Sequence, residues 1–90
     1  MVHTVIENVE DRVIRRKIIK TDDSKYTSGY RYSLHHGYTD GRGTILRYDN
    51  ENRTIGRHEQ HTADGVEEID FHGMMKLRDR FMNEIEANND

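Results

Sequence analysis

Apolar positions along the chain follow two different periods. Met74, Leu77, Phe81 and Ile85 recur at intervals of three and four, and Met75 and Met82 widen the stripe. That spacing gathers them on one side of a helix over residues 74–87, with Lys76, Arg78, Asp79, Arg80 and Glu84 filling most of the remainder. Upstream the period is two. Tyr30, Tyr32, Leu34 and His36 alternate with Arg31, Ser33 and His35, so residues 26–39 read as a strand, and the aromatic side chains favour that choice. Asp40-Gly41, inside the stretch 39–43, supplies the positive φ angles of a hairpin turn. Residues 44–49 then return antiparallel, with Leu46 and Tyr48 on one face and Ile45, Arg47 and Asp49 on the other.

The elements downstream are shorter. Residues 50–56 form a polar loop, 57–62 a third strand, 62–65 a turn and 66–71 a fourth strand, with Ile69 and Phe71 facing one way. His72-Gly73 breaks the pattern before the helix. Residues 12–21 are rich in Val and Ile and read as a further strand turning at 22–25. Residues 1–11 fit either a helical face, through Val2, Val5, Ile6, Val9 and Val13, or a strand, because β-branched side chains lose χ1 freedom in a helix. The predicted architecture is α+β: a small antiparallel meander of about four to five strands, its apolar face covered by a C-terminal helix.

Composition narrows the function classes. Ninety residues make one domain, 1–90, and with 32% apolar and 34% charged residues its core is small. Cysteine is absent, which removes disulfides and thiolate metal sites and fits a reducing, cytoplasmic location. No apolar run reaches the length of a membrane span, and no signal-peptide core is present at the N-terminus. The net charge of −3 argues against a generic basic coat for nucleic acid. The charges are nevertheless segregated. Arg12 to Lys20 holds five basic residues and no acid, while 64–70 and 84–90 are acidic. A cationic face on an anionic chain is compatible with this, as is a salt-laced solvated surface.

The candidate chemistry concentrates in residues 45–61, where Arg47, Asp49, Asn50, Arg53, Arg57, His58, Glu59 and His61 crowd a short span. Two imidazoles beside a carboxylate and arginines suit acid–base chemistry on a phosphodiester. One neutral His takes the 2′-hydroxyl proton, a second group protonates the leaving oxygen, and an Arg stabilises the phosphorane charge. Strand alternation sets a condition. Residues three apart face opposite sides, so His58 and His61 serve one site only if a bulge or loop intervenes. The pattern is not that of a zincin, which needs two residues between Glu and the second His on a helix, and no metal or cofactor is expected. Arg47, Asp49 and Arg57 can grip phosphate, or they can be cross-strand ion pairs of little consequence. Tyr30, Tyr32 and Tyr48 share the face of Leu34 and Leu46 and so belong to the core rather than to a base-stacking platform. His35 and His36 are adjacent and point to opposite faces.

These residues carry a resemblance. The run Tyr30-Arg-Tyr32 on a strand, Leu46-Arg-Tyr-Asp-Asn-Glu51, Gly56, a His-bearing strand to His61, an acidic strand ending in Phe71 and a helix through Phe81 are similar to the TumE family of toxin–antitoxin toxins. The similarity spans about residues 26–82. Many members read Gly-Lys-Gly-Asp-His-x-His where this chain has Ile55-Gly-Arg-His-Glu-Gln-His61, so the histidine spacing differs by one and the equivalent histidine stays open. The resemblance implies a growth-inhibiting toxin acting on RNA as a metal-independent endoribonuclease, neutralised by a co-encoded antitoxin of the helix-turn-helix DNA-binding type. Carried over by position, it implies catalytic roles for His58, His61 and Asp49 and substrate contacts from Arg47, Arg57, Tyr48 and Asn50, with Arg31 or Arg42 at the rim. Oligomeric state is open between monomer and homodimer. The competing reading is a non-enzymatic binding module that docks on a target or partners a DNA-binding regulator through exposed sheet edges.

Overall fold

The computed structural model describes residues 2–51 and 56–87. Six strands follow one another as β1 (Val2–Val9), β2 (Arg12–Lys20), β3 (Tyr30–Tyr38), β4 (Thr44–Asp49), β5 (Glu59–Thr62) and β6 (Gly65–Glu68), and one helix closes the chain, α1 (Met74–Ala87). All neighbours are antiparallel and lie in sequence order, so the sheet is an uninterrupted meander. The expected architecture is present, with six strands rather than four to five. The additional strand is β1, which resolves the ambiguity of residues 1–11. It pairs along its whole length with β2, from Val2↔Ile19 to Val9↔Arg12, through a two-residue connection at Glu10-Asp11. Glu10 takes a positive φ of 57° there, a conformation that a non-glycine residue seldom adopts.

The helix lies on one face of the sheet. Ile14 and Ile18 of β2, Tyr32 and Leu34 of β3, and Leu46 and Tyr48 of β4 meet Met74, Leu77, Phe81 and Ile85 of α1 in one buried cluster. The Phe81 ring meets Tyr48 edge-on at 6.2 Å between centroids, a favoured aromatic geometry. This is the core expected from the alternation of β3 and β4, and it takes Tyr32 and Leu34 of the one and Leu46 and Tyr48 of the other. Ser33, His35, Arg47 and Asp49 are thereby committed to the opposite face, which the helix does not cover.

Cross-strand partners share a face, so the register writes two rows across that open surface. One row runs Ile6, Arg15, His35, Arg47, His61 and Val66 from β1 to β6. The next runs Thr4, Lys17, Ser33, Asp49, Glu59 and Glu68. A bulge between β3 and β4 sets this alignment. Gly37 pairs with Thr44 and His36 with Leu46, leaving Ile45 as the extra residue.

Candidate functional site

Arg47 occupies the middle of the open face. Its Nε lies 2.9 Å from Asp49 Oδ2, and its Nη2 lies 3.5 Å from His61 Nδ1. The other nitrogen of His61, Nε2, is 3.5 Å from the same Asp49 oxygen and 3.7 Å from Glu59 Oε1. The cause is local. Arg47 and Asp49 are two apart on β4 and so point the same way, and the β4–β5 register sets His61 and Glu59 opposite them.

Two carboxylates are buried here side by side, with Asp49 exposed by 3% and Glu59 by 2%. Taking charge out of water costs several kcal/mol per ion unless partners compensate. Burial accordingly pushes the Asp49 carboxyl above the ordinary carboxylate range. Arg47 and His61 pull it back down, and the Glu59 charge adds to the upward push. Asp49 Oδ1 is buried with no hydrogen-bond partner among the described residues. A buried acceptor left in that state is uncommon in a purely structural ion pair and is found where a ligand or water completes the site.

Beside this cluster a groove of about 310 Å³ is lined by Arg15, Lys17, Ser33, His35, Arg47 and Glu51. Glu51 bridges Lys17 at 3.1 Å and Arg31 at 2.7 Å, which places Arg31 at the rim. At the other side of the face Arg57 reaches Glu68 at 3.3 Å and Glu59 at 3.8 Å. Arg42 is engaged with Asp40 and Asp11 and stacks on the Tyr38 ring at 3.9 Å, at the hairpin turns. Arg53 lies outside the described residues.

Of the residues singled out from the sequence, the fold brings Arg47, Asp49 and His61 into contact and leaves Arg31 and Arg57 on the flanks of the same face. Three others are elsewhere. His58 lies just before β5, on the helix side of the sheet. Its ring stacks on Phe71 with centroids 4.2 Å apart, and its Nδ1 is 2.7 Å from the Tyr32 hydroxyl. Strand alternation therefore admits His61 and not His58. Tyr48 is buried under the helix, where its hydroxyl donates to Glu84 and accepts from Gln60 Nε2 at 3.0 Å. Asn50 is fully buried, and its amide stitches the ends of β3 and β4. Its Oδ1 accepts from Tyr32 N at 3.0 Å and its Nδ2 donates to Tyr30 O at 2.7 Å. These two are framework residues rather than substrate contacts. Arg15, Lys17, His35 and Glu51, none of them among the site candidates named from the sequence, reach the groove through the β2–β3–β4 register.

Asp49, Glu59 and His61 each bring a donor atom within 4.8 Å of the others, a set of types that can ligate a divalent cation. The Arg47 guanidinium already supplies positive charge to Asp49 at that point.

A family model described as Toxin TumE matches residues 3–89. The chain belongs to the TumE toxin family. Curated proteins and solved structures give no significant match. TumE membership supports a toxin function and an antitoxin as partner. The match covers β1 to α1, so the Arg47–Asp49–His61 cluster is part of the TumE-like region rather than an appendage to it. Among the described residues no helix is long and apolar enough to cross a membrane.

Proposed function

We propose that this TumE toxin is a metal-independent endoribonuclease, working in the cytoplasm from the open face of its sheet. The observation that carries the reading is Asp49 Oδ2, which faces both the Arg47 guanidinium and the His61 imidazole. A carboxylate in that position orients a phosphate-binding cation and a proton-transfer group toward one point, which is what cleavage of a phosphodiester requires. The RNA 2′-hydroxyl attacks the adjacent phosphorus, the 5′-oxygen leaves, and Arg47 carries the charge that builds on the non-bridging oxygens. His61 transfers a proton, and Arg31 and Arg57 meet flanking phosphates once their own carboxylate partners yield. The net charge of −3 is no obstacle, because Arg15, Lys17 and Arg47 line the groove while Glu67, Glu84 and Glu86 do not. The antitoxin is proposed to be a helix-turn-helix DNA-binding protein.

The test is expression of wild type, His61→Ala and Arg47→Ala without antitoxin, followed by inspection of total RNA, and cleavage of purified RNA with and without a chelator. Degraded RNA in wild type alone, with cleavage unchanged by the chelator within about twofold, supports the reading. Growth arrest with intact RNA overturns it.

A second reading rests on the outer edge of the sheet. β1 pairs on one side only, and Ile6 and Val9 are exposed by 58% and 45%. An open apolar edge is a template for another chain, so the toxin would inhibit by docking. That reading expects the His61 variant to remain toxic and Ile6→Lys to be harmless.

A further inference from the structure

We propose that His35 is the second proton-transfer group of this site, set across Arg47 from His61 and held there by the missing side chain of Gly37. The proposal rests on the ribonuclease reading and names the group that reading lacks.

The placement comes from the register. His35 pairs with Arg47 and Arg47 pairs with His61, so the two imidazoles sit on adjacent strands either side of the arginine and on the same face. Neighbouring strands are about 4.8 Å apart, which separates the two histidine backbones by about 10 Å. A phosphodiester held by Arg47 then has one imidazole toward its 2′-oxygen and the other toward its 5′-oxygen. His35 also lines the groove together with Arg15, Lys17 and Arg47. His36, its neighbour in sequence, is buried on the helix side.

Two details show that the His35 ring is positioned rather than merely present. Gly37 lies on the same face, two residues on. Its φ is not among the positive values of the chain's other glycines, so backbone freedom does not require glycine there. Space does. A Cβ at position 37 would lie 2.9 Å from both Cε1 and Nε2 of His35 and 3.0 Å from Gly43 O. In addition, His35 Nε2 is 3.0 Å from Thr44 Oγ1, a hydrogen bond that fixes the ring and leaves Nδ1 to exchange protons.

The electrostatics suit a base. Burial is the main cause that lowers the His35 pKa below its ordinary value of 6.5, and the Arg15 and Arg47 charges add to it. His35 therefore meets substrate as a neutral imidazole, the form that accepts a proton. In the reaction His35 Nδ1 takes the 2′-hydroxyl proton as O2′ bonds to phosphorus. The P–O5′ bond breaks, and His61 gives a proton to O5′. The products are a 2′,3′-cyclic phosphate and a 5′-hydroxyl, with one proton taken up and one released.

The experiment measures kcat/KM on an RNA oligonucleotide against pH for wild type, His35→Ala, His35→Gln and Gly37→Ala, with melting temperatures recorded alongside. Wild type should give a bell whose acidic limb lies below pH 6.5. Both His35 variants should lose ~10²–10⁴-fold and lose that acidic limb, while melting close to wild type. Added imidazole should restore part of the His35→Ala activity, and Gly37→Ala should fall in between, because it displaces the ring without removing it. Wild-type cleavage retained within threefold in His35→Gln, or an unchanged acidic limb, overturns the role of His35 and leaves the ribonuclease reading intact. An absence of cleavage by wild type overturns both.

Discussion

His58 and His61, three positions apart, stand on opposite faces of the sheet, one stacked on Phe71 and the other beside Asp49. Substitutions should therefore separate them cleanly. His61→Ala is expected to lower RNA cleavage by ~10²–10⁴-fold, the usual worth of a proton-transfer group, with a small change in stability. His58→Ala should lower stability by about 1–3 kcal/mol, through the lost ring packing and the unpaired Tyr32 hydroxyl. Its activity per folded molecule should stay near wild type. Denaturant melts and cleavage rates on the two purified variants check both halves.

Acid should destabilise the fold through the histidines packed on the helix side of the sheet. Burial lowers the pKa of His36 and of His58 below the ordinary 6.5. Arg12 adds to the effect at His36, and Glu68 opposes it at His58. A depressed folded-state pKa means that the unfolded chain binds more protons below pH 6.5. Stability is then fully present above that pH and is lost as pH falls through the folded-state values. Thermal melts from pH 7.5 down to 5.5 should show a falling Tm, each 1 kcal/mol lost being worth ~4–8 °C in a domain of this size. His58→Gln should flatten the slope, and a Tm that rises on acidification would contradict the account.

Arg47 is expected to matter to the fold as well as to the chemistry. Arg47→Ala takes the guanidinium away from the buried Asp49 carboxylate, and breaking a buried pair in this way costs about 3–5 kcal/mol. The loss should shrink as pH is lowered toward the raised Asp49 pKa, because the neutral acid needs no counter-charge. Arg47→Lys should recover much of the stability by restoring the charge. It should recover little cleavage, since an ammonium lacks the planar fork that grips phosphate through two bonds. Urea midpoints at two pH values, set against cleavage rates, separate the roles.

The helix was legible because its apolar stripe keeps one period for four turns and a glycine with φ 113° stands just before it, at Gly73. The site was legible in half. Arg47, Asp49 and His61 follow from alternation along β4 and β5, a property each strand shows by itself. β1 was ambiguous for a physical reason. Val5 faces the helix side while Ile6 faces outward and is exposed, so the strand carries apolar residues on both faces and loses its alternation. Its hairpin at Glu10-Asp11 also lacks the glycine or asparagine that usually announces one. Arg15, Lys17 and His35 were out of reach because they join the site through register. The β3–β4 register depends on the bulge at Ile45, and counting residues back from the hairpin turn without it would misalign His35 with Leu46.

The meander also orders events in time. Every strand of the polar face lies between residues 2 and 68, and the helix that covers the aromatic face follows at 74–87. A nascent chain thus carries all its prospective chemistry while Tyr32, Leu34, Leu46 and Tyr48 still face water. A sheet must bury its apolar face to persist, so this toxin's surface takes its working shape only once the helix behind it has been made, and the cell that translates it is given that interval.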